Sequence, residues 1–204
     1  MKVETVFRAI IDDWTRAKNH CRTTDNKDFT EKEPTDTFKK KLLISEHSPI
    51  RTLVYDWTWP SIPYWVSTHW ARHIWTPFIS TQRDDRLHDE ISRDEKPQGA
   101  LVRFDGYANQ QHLIDTWRKR LCYCASPETR ECAENFKVTL HETHPFEANV
   151  LVPNCIYRDG CPEFKTCGFL AKFLEEHKDI DMHDIQTRYD AYNKDFYERV
   201  KKNG

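Results

Sequence analysis

The sequence predicts an α+β protein, with a mixed or antiparallel sheet flanked by helices. Segments rich in β-branched and aromatic residues, typical of strands, are interspersed with segments whose apolar residues recur at helical spacing. Hydrophobic residues make up 38% of the chain and charged residues 31%, so a folded globular protein is expected rather than a disordered one. A length of 204 residues suits one domain with a real core, and we expect residues 1–204 to form a single domain.

Three strands are predicted in the first half of the chain. They cover Val3–Ile11, Arg51–Trp59 and Phe78–Arg83. Pro60 and Pro63 are expected to end the second strand, because proline lacks the amide hydrogen that a strand ladder uses. Polar and charged segments at 23–36 and 84–99 predict surface loops.

Helices are predicted where apolar residues recur three to four positions apart. The predicted helices cover Asp12–His20, Thr37–Ser45, Tyr64–Trp75, Tyr107–Cys122 and Ser126–His141. Ser126, Pro127 and Glu128 provide the N-cap, proline and acid of a helix start. The chain closes with an amphipathic helix, whose shared apolar face consists of Ile185, Tyr189, Tyr192, Phe196 and Val200.

The composition argues against several classes of function. The chain has only 5 Gly and neither GxGxxG nor GxxxxGK occurs, so side chains must hold any phosphate. A formal net charge of -2 argues against direct nucleic-acid binding over the whole surface. The apolar runs are too short to cross a bilayer and no secretory signal is visible, which predicts a cytoplasmic protein without a membrane partner.

The predicted helix Tyr64–Trp75 carries the most informative pattern. His69, Arg72 and His73 would share one helical face, and three potential cationic donors beside aromatic surface suit a flat, anionic ligand. An ordinary solvated polar face explains the same spacing. The two histidines also have the spacing of a zinc pair, but no HExxH glutamate stands between them.

Two motifs resemble the flavin-dependent thymidylate synthases. Glu46-His47 resembles the family's helix-ending pair, and IPYWVSTHWARHIW leads into Arg72-His73, the start of its Arg-His-Arg signature. Farther on, Ala108-Asn109 through Leu121 resembles the family's asparagine-rich helix. The resemblance covers residues 1–125 and implies a thymidylate-synthase-complementing-protein-like fold.

The resemblance also implies a set of site residues. Flavin adenine dinucleotide (FAD) would be bound by His47, Arg72, His73, Asn109 and Asp115. A deoxyuridine monophosphate (dUMP)-like substrate would meet His69, Ser80, Thr81, Arg83 and Arg120, of which Arg120 and Ser80 would take part in catalysis. Without the resemblance, the tribasic run 118–120 would be interpreted as solvated surface, with Arg118 about 200° around the helix from Arg120.

The implied reaction is flavin-dependent transfer of a one-carbon unit to a uridine-type deoxynucleotide. Methylenetetrahydrofolate and NADPH would be co-substrates, and a homotetramer would share active sites between subunits. Three departures weaken this implication: His69 stands where the family tends to have glutamine, Ile74 replaces the third signature residue, and the following series, Pro77 to Arg83, has no Glu. The rival hypotheses are a related enzyme acting on another pyrimidine nucleotide in DNA hypermodification, and a non-catalytic nucleotide-binding protein that has lost the flavin.

The cysteines provide a second signal, in the divergent helical region 126–204. An odd number of cysteines, 7, in a chain without a visible export signal favours thiols or metal ligands over disulfides. A zinc or iron–sulfur site is predicted from thiols of the loop Pro153–Cys167 and of one helix end, namely Cys122, Cys155, Cys161 and Cys167. Free thiols packed as small hydrophobes are the alternative. This region indicates a divergent, phage-type branch, in a bacterium or a virus-infected host cell.

Overall fold

The sheet is antiparallel throughout in the computed structural model, which describes residues 2–87 and 91–203. Its strands are β1 (Val6–Ile11), β2 (Val54–Pro63), β3 (Thr76–Ile79) and β4 (Leu101–Asn109). They lie side by side in the order β1-β2-β4-β3. The predicted α+β class is confirmed. Of the two sheet types predicted, mixed and antiparallel, the antiparallel type occurs.

Helices account for most of the remaining described chain. They are α1 (Trp14–Thr24), α2 (Asp36–Ile44), α3 (Tyr64–Trp70), α4 (Asp84–Leu87), α5 (Gln110–Arg120), α6 (Pro127–His141), α7 (Pro145–Asn149), α8 (Asn154–Arg158), α9 (Phe169–Glu176) and α10 (Ile185–Asn203). Short 3-10 helices lie at Ser48–Thr52 and Arg93–Glu95. Residues 88–90 of the predicted charged loop lie outside the described residues. In the described ranges no helix combines the length and apolar character that a membrane span requires.

The prediction that prolines end the second strand is wrong. β2 runs on to Pro63, which pairs with Leu101 of β4, and Pro60 falls within a register irregularity between Trp59 and Ile62. A proline needs no ladder hydrogen bond at a bulge, because the pairing is already interrupted there.

The predicted helix Tyr107–Cys122 begins later than expected, because its first residues belong to β4. In this strand Val102, Phe104, Gly106 and Ala108 are buried, and the residues between them are exposed or half-buried. That alternation is the period of a half-buried strand. The central glycine and the charges on the outer face obscured it in the sequence.

α3 ends at Trp70, five residues before the predicted end. The chain then makes a tight turn, in which the carbonyl of Trp70 accepts hydrogen bonds from the amide of His73 and from the indole Nε1 of Trp75, at 3.3 and 2.9 Å. Arg72 and His73 therefore lie on this turn and not on a helical face.

An aromatic core holds the turn against the sheet and α5. Trp70 and Trp75 are stacked with ring centroids 5.6 Å apart, and both lie within 6 Å of the Trp117 ring on α5. The core continues into the sheet at Trp57, whose ring centroid lies 5.1 Å from that of Trp75. Such ring contacts bury large apolar areas in defined orientations, so the geometry of the turn follows from the core.

The helices after residue 125 are joined by a buried lysine. The Nζ of Lys137 on α6 donates to the carbonyls of Ala148 and Leu151, at 2.8 and 2.9 Å, and to Oδ1 of Asn193 on α10, at 2.6 Å. Burial holds the pKa of Lys137 well below its usual range. Three acceptors satisfy this amino group, so α6, α7 with the residues that follow it, and α10 are fixed to one another.

Gly106 is the point at which β4 passes closest to the aromatic core. A Cβ at this position would lie 2.2 Å from the ring of Trp57, whereas one at Gly99 would have no heavy atom within 4 Å. Gly106→Ala should therefore lower the free energy of unfolding by about 1–3 kcal/mol, the usual magnitude of overpacking. Urea denaturation of this variant, with Gly99→Ala as control, measures the difference, and equal stabilities would contradict the packing described.

Candidate functional site

Arg120, at the end of α5, is the centre of a basic cluster. Its Nε donates to Nε2 of His73 at 2.7 Å, and its Nη2 donates to the carbonyl of His69 at 2.6 Å. The guanidinium also lies 5.9 Å from the centre of the Trp70 ring. Two hydrogen bonds to the end of α3 and its turn fix the orientation of this arginine, and Nη1 makes no hydrogen bond to any described residue.

His69 has a partner that sequence reasoning missed. Its Nδ1 lies 3.0 Å from Oγ1 of the buried Thr129 on α6, and Ser126 donates to the same hydroxyl at 2.7 Å. The sequence carries no signal for this contact, since the serine and threonine are explained locally by the start of α6. The contact links the cluster to the region after residue 125.

The electrostatics of the cluster favour an anion. Burial, Arg120 and Lys119 lower the pKa of His73 to about 4, so its ring is neutral at physiological pH. Burial, Arg120 and Arg72 also lower the pKa of His69. Burial and Arg72 lower the pKa of Arg120. Within residues 2–87 and 91–203, neither Arg72 nor Arg120 is paired with a carboxylate. A bound anion would relieve the repulsion between them.

Glu46 is the centre of a second group, which contains the predicted site residues His47 and Asp115. Gln111 donates to its carboxylate at 2.8 Å, and Arg118 makes an ion pair with it. Asp115 accepts from Gln111 at 3.3 Å, and His47, next to Glu46, is exposed. The interpretation of 118–120 as solvated surface is thus wrong for Arg118, which is buried.

Asn109 begins α5. Its Oδ1 accepts a hydrogen bond from the amide of His112 at 3.0 Å, which is the ordinary N-cap interaction. The capping interaction uses only the side-chain oxygen of Asn109. The two donors of its side-chain amide nitrogen are therefore compatible with the predicted cofactor contact.

The residues after β3 form a third, separate group. The Oγ of Ser80 accepts from the amide of Arg103 at 3.0 Å, and the hydroxyl of Thr81 accepts from the amide of Arg83 at 3.1 Å. The Arg83 guanidinium is bound by Asp85 through two contacts, at 3.0 and 2.7 Å. In the described part of one chain, this group does not contact Arg120.

The predicted metal site consists of four thiols. Among the described residues, no three His, Cys, Asp or Glu side chains are grouped so that they could hold a metal ion. The four proposed ligands are free thiols in unlike settings, since Cys155 is buried, Cys122 half-buried, and Cys161 and Cys167 exposed. Burial raises the pKa of Cys155 to about 12, and the thiols of Cys122, Cys161 and Cys167 contribute to the rise. The zinc or iron–sulfur site at these four thiols stays a prediction.

Comparisons with known proteins identify the fold. No protein-family model and no curated protein matches the sequence. Among solved structures, a flavin-dependent thymidylate synthase ThyX from Helicobacter pylori in complex with FAD and dUMP superposes with a TM-score of 0.60 and 13% identity, over 71% of this chain and 97% of that one. A second structure of the Helicobacter pylori enzyme, also with FAD and dUMP, gives 0.60 and 13%, over 73% and 99%.

A related enzyme matches as well. The UMP/dUMP methylase PolB from Streptomyces cacaoi, bound to 5-Br dUMP, superposes with a TM-score of 0.55 and 12% identity, over 72% of this chain and 93% of that one. The present chain thus has the fold of the flavin-dependent thymidylate synthases, as its motifs predicted.

The burial of His73 beside Arg120 and Lys119 predicts a pH dependence for stability. The pKa of His73 is about 4 in the folded chain, against an ordinary value of 6.5. The folded state binds fewer protons than the unfolded state between these values, so the contribution of His73 is present above about pH 6.5 and is lost as the pH falls towards 4.

His73→Gln tests this dependence, because glutamine keeps an acceptor but does not titrate. Urea denaturation between pH 7.5 and 4.5 should show the wild type losing more stability than the variant. Parallel pH profiles would contradict the assignment.

Proposed function

We propose that this chain binds FAD and a uridine-type deoxynucleotide and transfers a one-carbon unit to the base, converting dUMP to dTMP or a close variant. The observation that carries the proposal is the basic cluster, in which two arginines without carboxylate partners among the described residues meet beside two histidines of lowered pKa. The shared fold supports it, because the similar structures are described as complexes with FAD and dUMP or with 5-Br dUMP.

Arg120 is the residue best suited to the nucleotide. Its Nε and Nη2 are held by the protein, so its remaining donors approach a ligand in one orientation. An oriented guanidinium binds a phosphate or a uracil carbonyl with charge-assisted hydrogen bonds and stabilises negative charge that develops on the base. The neutral ring of His73 orients this arginine without competing for an anion.

The flavin would supply the redox chemistry, and the residues on its side would bind and orient it. His47 and Arg72 are exposed, so both can meet an anionic cofactor. Asn109 has free amide donors beyond its cap, and Asp115 lies exposed on the same helix. These side chains fit the role that the resemblance implies. Methylenetetrahydrofolate and NADPH complete the proposed reaction as co-substrates.

Ser80, Thr81 and Arg83 would reach the nucleotide from a second subunit. A homotetramer accounts for their separation from Arg120 in one chain, provided that Arg83 exchanges Asp85 for the ligand. Exposed apolar side chains near the turn and on β3 support an oligomer, since Ile74 is 80% and Phe78 63% exposed.

A non-catalytic nucleotide-binding protein is the second candidate. Ile74 stands where the family has the third signature residue, an arginine, and its exposed side chain offers a cofactor no hydrogen bond. This departure removes a donor on the flavin side and leaves the Arg120 cluster unchanged.

Variants of the two arginines test how the ligands are divided between them. Arg72→Ala should weaken FAD binding, and Arg120→Ala should weaken dUMP binding, each by about tenfold or more, because a charge-assisted contact is lost in each. Flavin absorbance of the purified protein and calorimetry with dUMP measure these effects, with the exposed Arg158→Ala as control. Equal loss of both ligands in both variants would contradict the division.

The reaction itself is tested by tritium release. Protein supplied with FAD, NADPH and methylenetetrahydrofolate should release tritium from the C5 position of labelled dUMP. Uridine and cytidine nucleotides run in parallel test for another pyrimidine acceptor. A colourless protein that takes up no added FAD but binds dUMP would overturn the enzyme and support the second candidate.

A further inference from the structure

We propose that Arg118 is a positioning residue, which holds the corner formed by Glu46 and His47 so that His47 is presented to the cofactor. The inference rests on the proposed function and extends it, because Arg118 has no counterpart among the motif residues that the resemblance assigns. Its role follows from its contacts.

The corner has a backbone conformation that needs support. Glu46 has φ of 51°, in the left-handed region that side chains other than glycine rarely adopt. It follows Ser45, the C-cap of α2, and precedes His47, the N-cap of the 3-10 helix Ser48–Thr52. A strained residue at such a junction persists only where surrounding contacts hold it.

Arg118 and Gln111 supply those contacts from α5. The Arg118 guanidinium makes an ion pair with Oε1 of Glu46, while Gln111 Nε2 donates to Oε2 at 2.8 Å. Both carboxylate oxygens are therefore bound. The side chains of Arg118 and Glu46 are only 8% and 19% exposed, so solvent screens this ion pair far less than a surface pair.

The region after residue 125 completes the environment of Arg118. The guanidinium lies 3.4 Å from the centre of the Tyr157 ring on α8, in cation–π contact. Burial raises the pKa of Tyr189 on α10 to about 12, and the neighbouring Arg118 acts in the opposite direction. α8 and α10 thereby support the corner through one arginine.

Arg118 is unsuited to binding a ligand directly. It is buried, it faces Glu46 and Asp115, and two carboxylates offset its charge. Arg120, two positions later, is turned about 200° away on the same helix and has no carboxylate partner among the described residues. The effect of Arg118 on a cofactor therefore passes through the residues it contacts, which are Glu46 at the corner and Asp115 on α5.

Arg118→Met tests the proposal against a matched control, Arg199→Met. Arg199 also forms a half-buried ion pair, with Glu134 at 2.9 Å, and also lies against an aromatic ring, that of Phe196 at 5.3 Å. Both variants remove an ion pair and a cation–π contact, but only the first removes contacts of Glu46. Glu46→Gln is the milder second variant, should Arg118→Met fail to fold.

Two measurements on the full-length chain decide the outcome. Hydrogen exchange of the amides of residues 46–52 should accelerate about tenfold or more in Arg118→Met and little in Arg199→Met. FAD affinity should fall about tenfold in the first variant and remain near wild type in the second, with Arg118→Lys, which keeps the charge, recovering part of the loss.

Each result has one meaning. Unchanged exchange at residues 46–52, or faster exchange with unchanged FAD affinity, overturns the positioning role. A wild-type chain that binds no FAD overturns the proposed function instead, and exchange alone then decides whether Arg118 holds the corner. Equal effects of Arg118→Met and Arg199→Met would mark Arg118 as generally structural and reject the proposal.

Discussion

The packing of three tryptophans determines where the basic cluster lies. Trp70 and Trp75 bracket the turn that carries Arg72 and His73, and both pack on Trp117 of α5, with ring centroids 5.2 and 5.9 Å away. Trp117 and Arg120 are about one helical turn apart, so they project near each other. The contact between these rings brings Arg120 to His73, and without it the cationic side chains would have no common location.

The same helix uses two arginines in opposite ways. Arg118 is buried and offset by Glu46 and Asp115, so its charge supports structure. Arg120 lies next to another arginine, and burial lowers its pKa. Arg120 therefore has no opposing charge among the described residues. This uncompensated charge destabilises the unliganded fold, and a bound anion would offset it. This contrast distinguishes a ligand-binding cation from a structural one better than exposure does, because Arg120 itself is half-buried.

Local patterns in the sequence predicted much of the fold and part of the site. Ser126 as the start of α6 is confirmed, because an N-cap depends only on nearby residues. The early end of α3 could not be predicted, since it depends on the indole of Trp75 reaching back to the carbonyl of Trp70. The burial of Arg118 was missed because its partners are distant in sequence. The cysteine spacing likewise contained no information on whether the thiols converge.

The departures from the family pattern affect the two proposed ligands unequally. His69 stands where the family tends to have glutamine, yet it holds Arg120 through its backbone carbonyl, and any residue type provides that acceptor. The arginine proposed to bind the nucleotide thus keeps its orientation despite the substitution. Ile74, in contrast, replaces a side chain that would have supplied donors directly, and no described neighbour compensates for it at that position. The proposed nucleotide site therefore keeps more of the family pattern than the proposed flavin site, and FAD binding is where a divergent member of this fold would first differ.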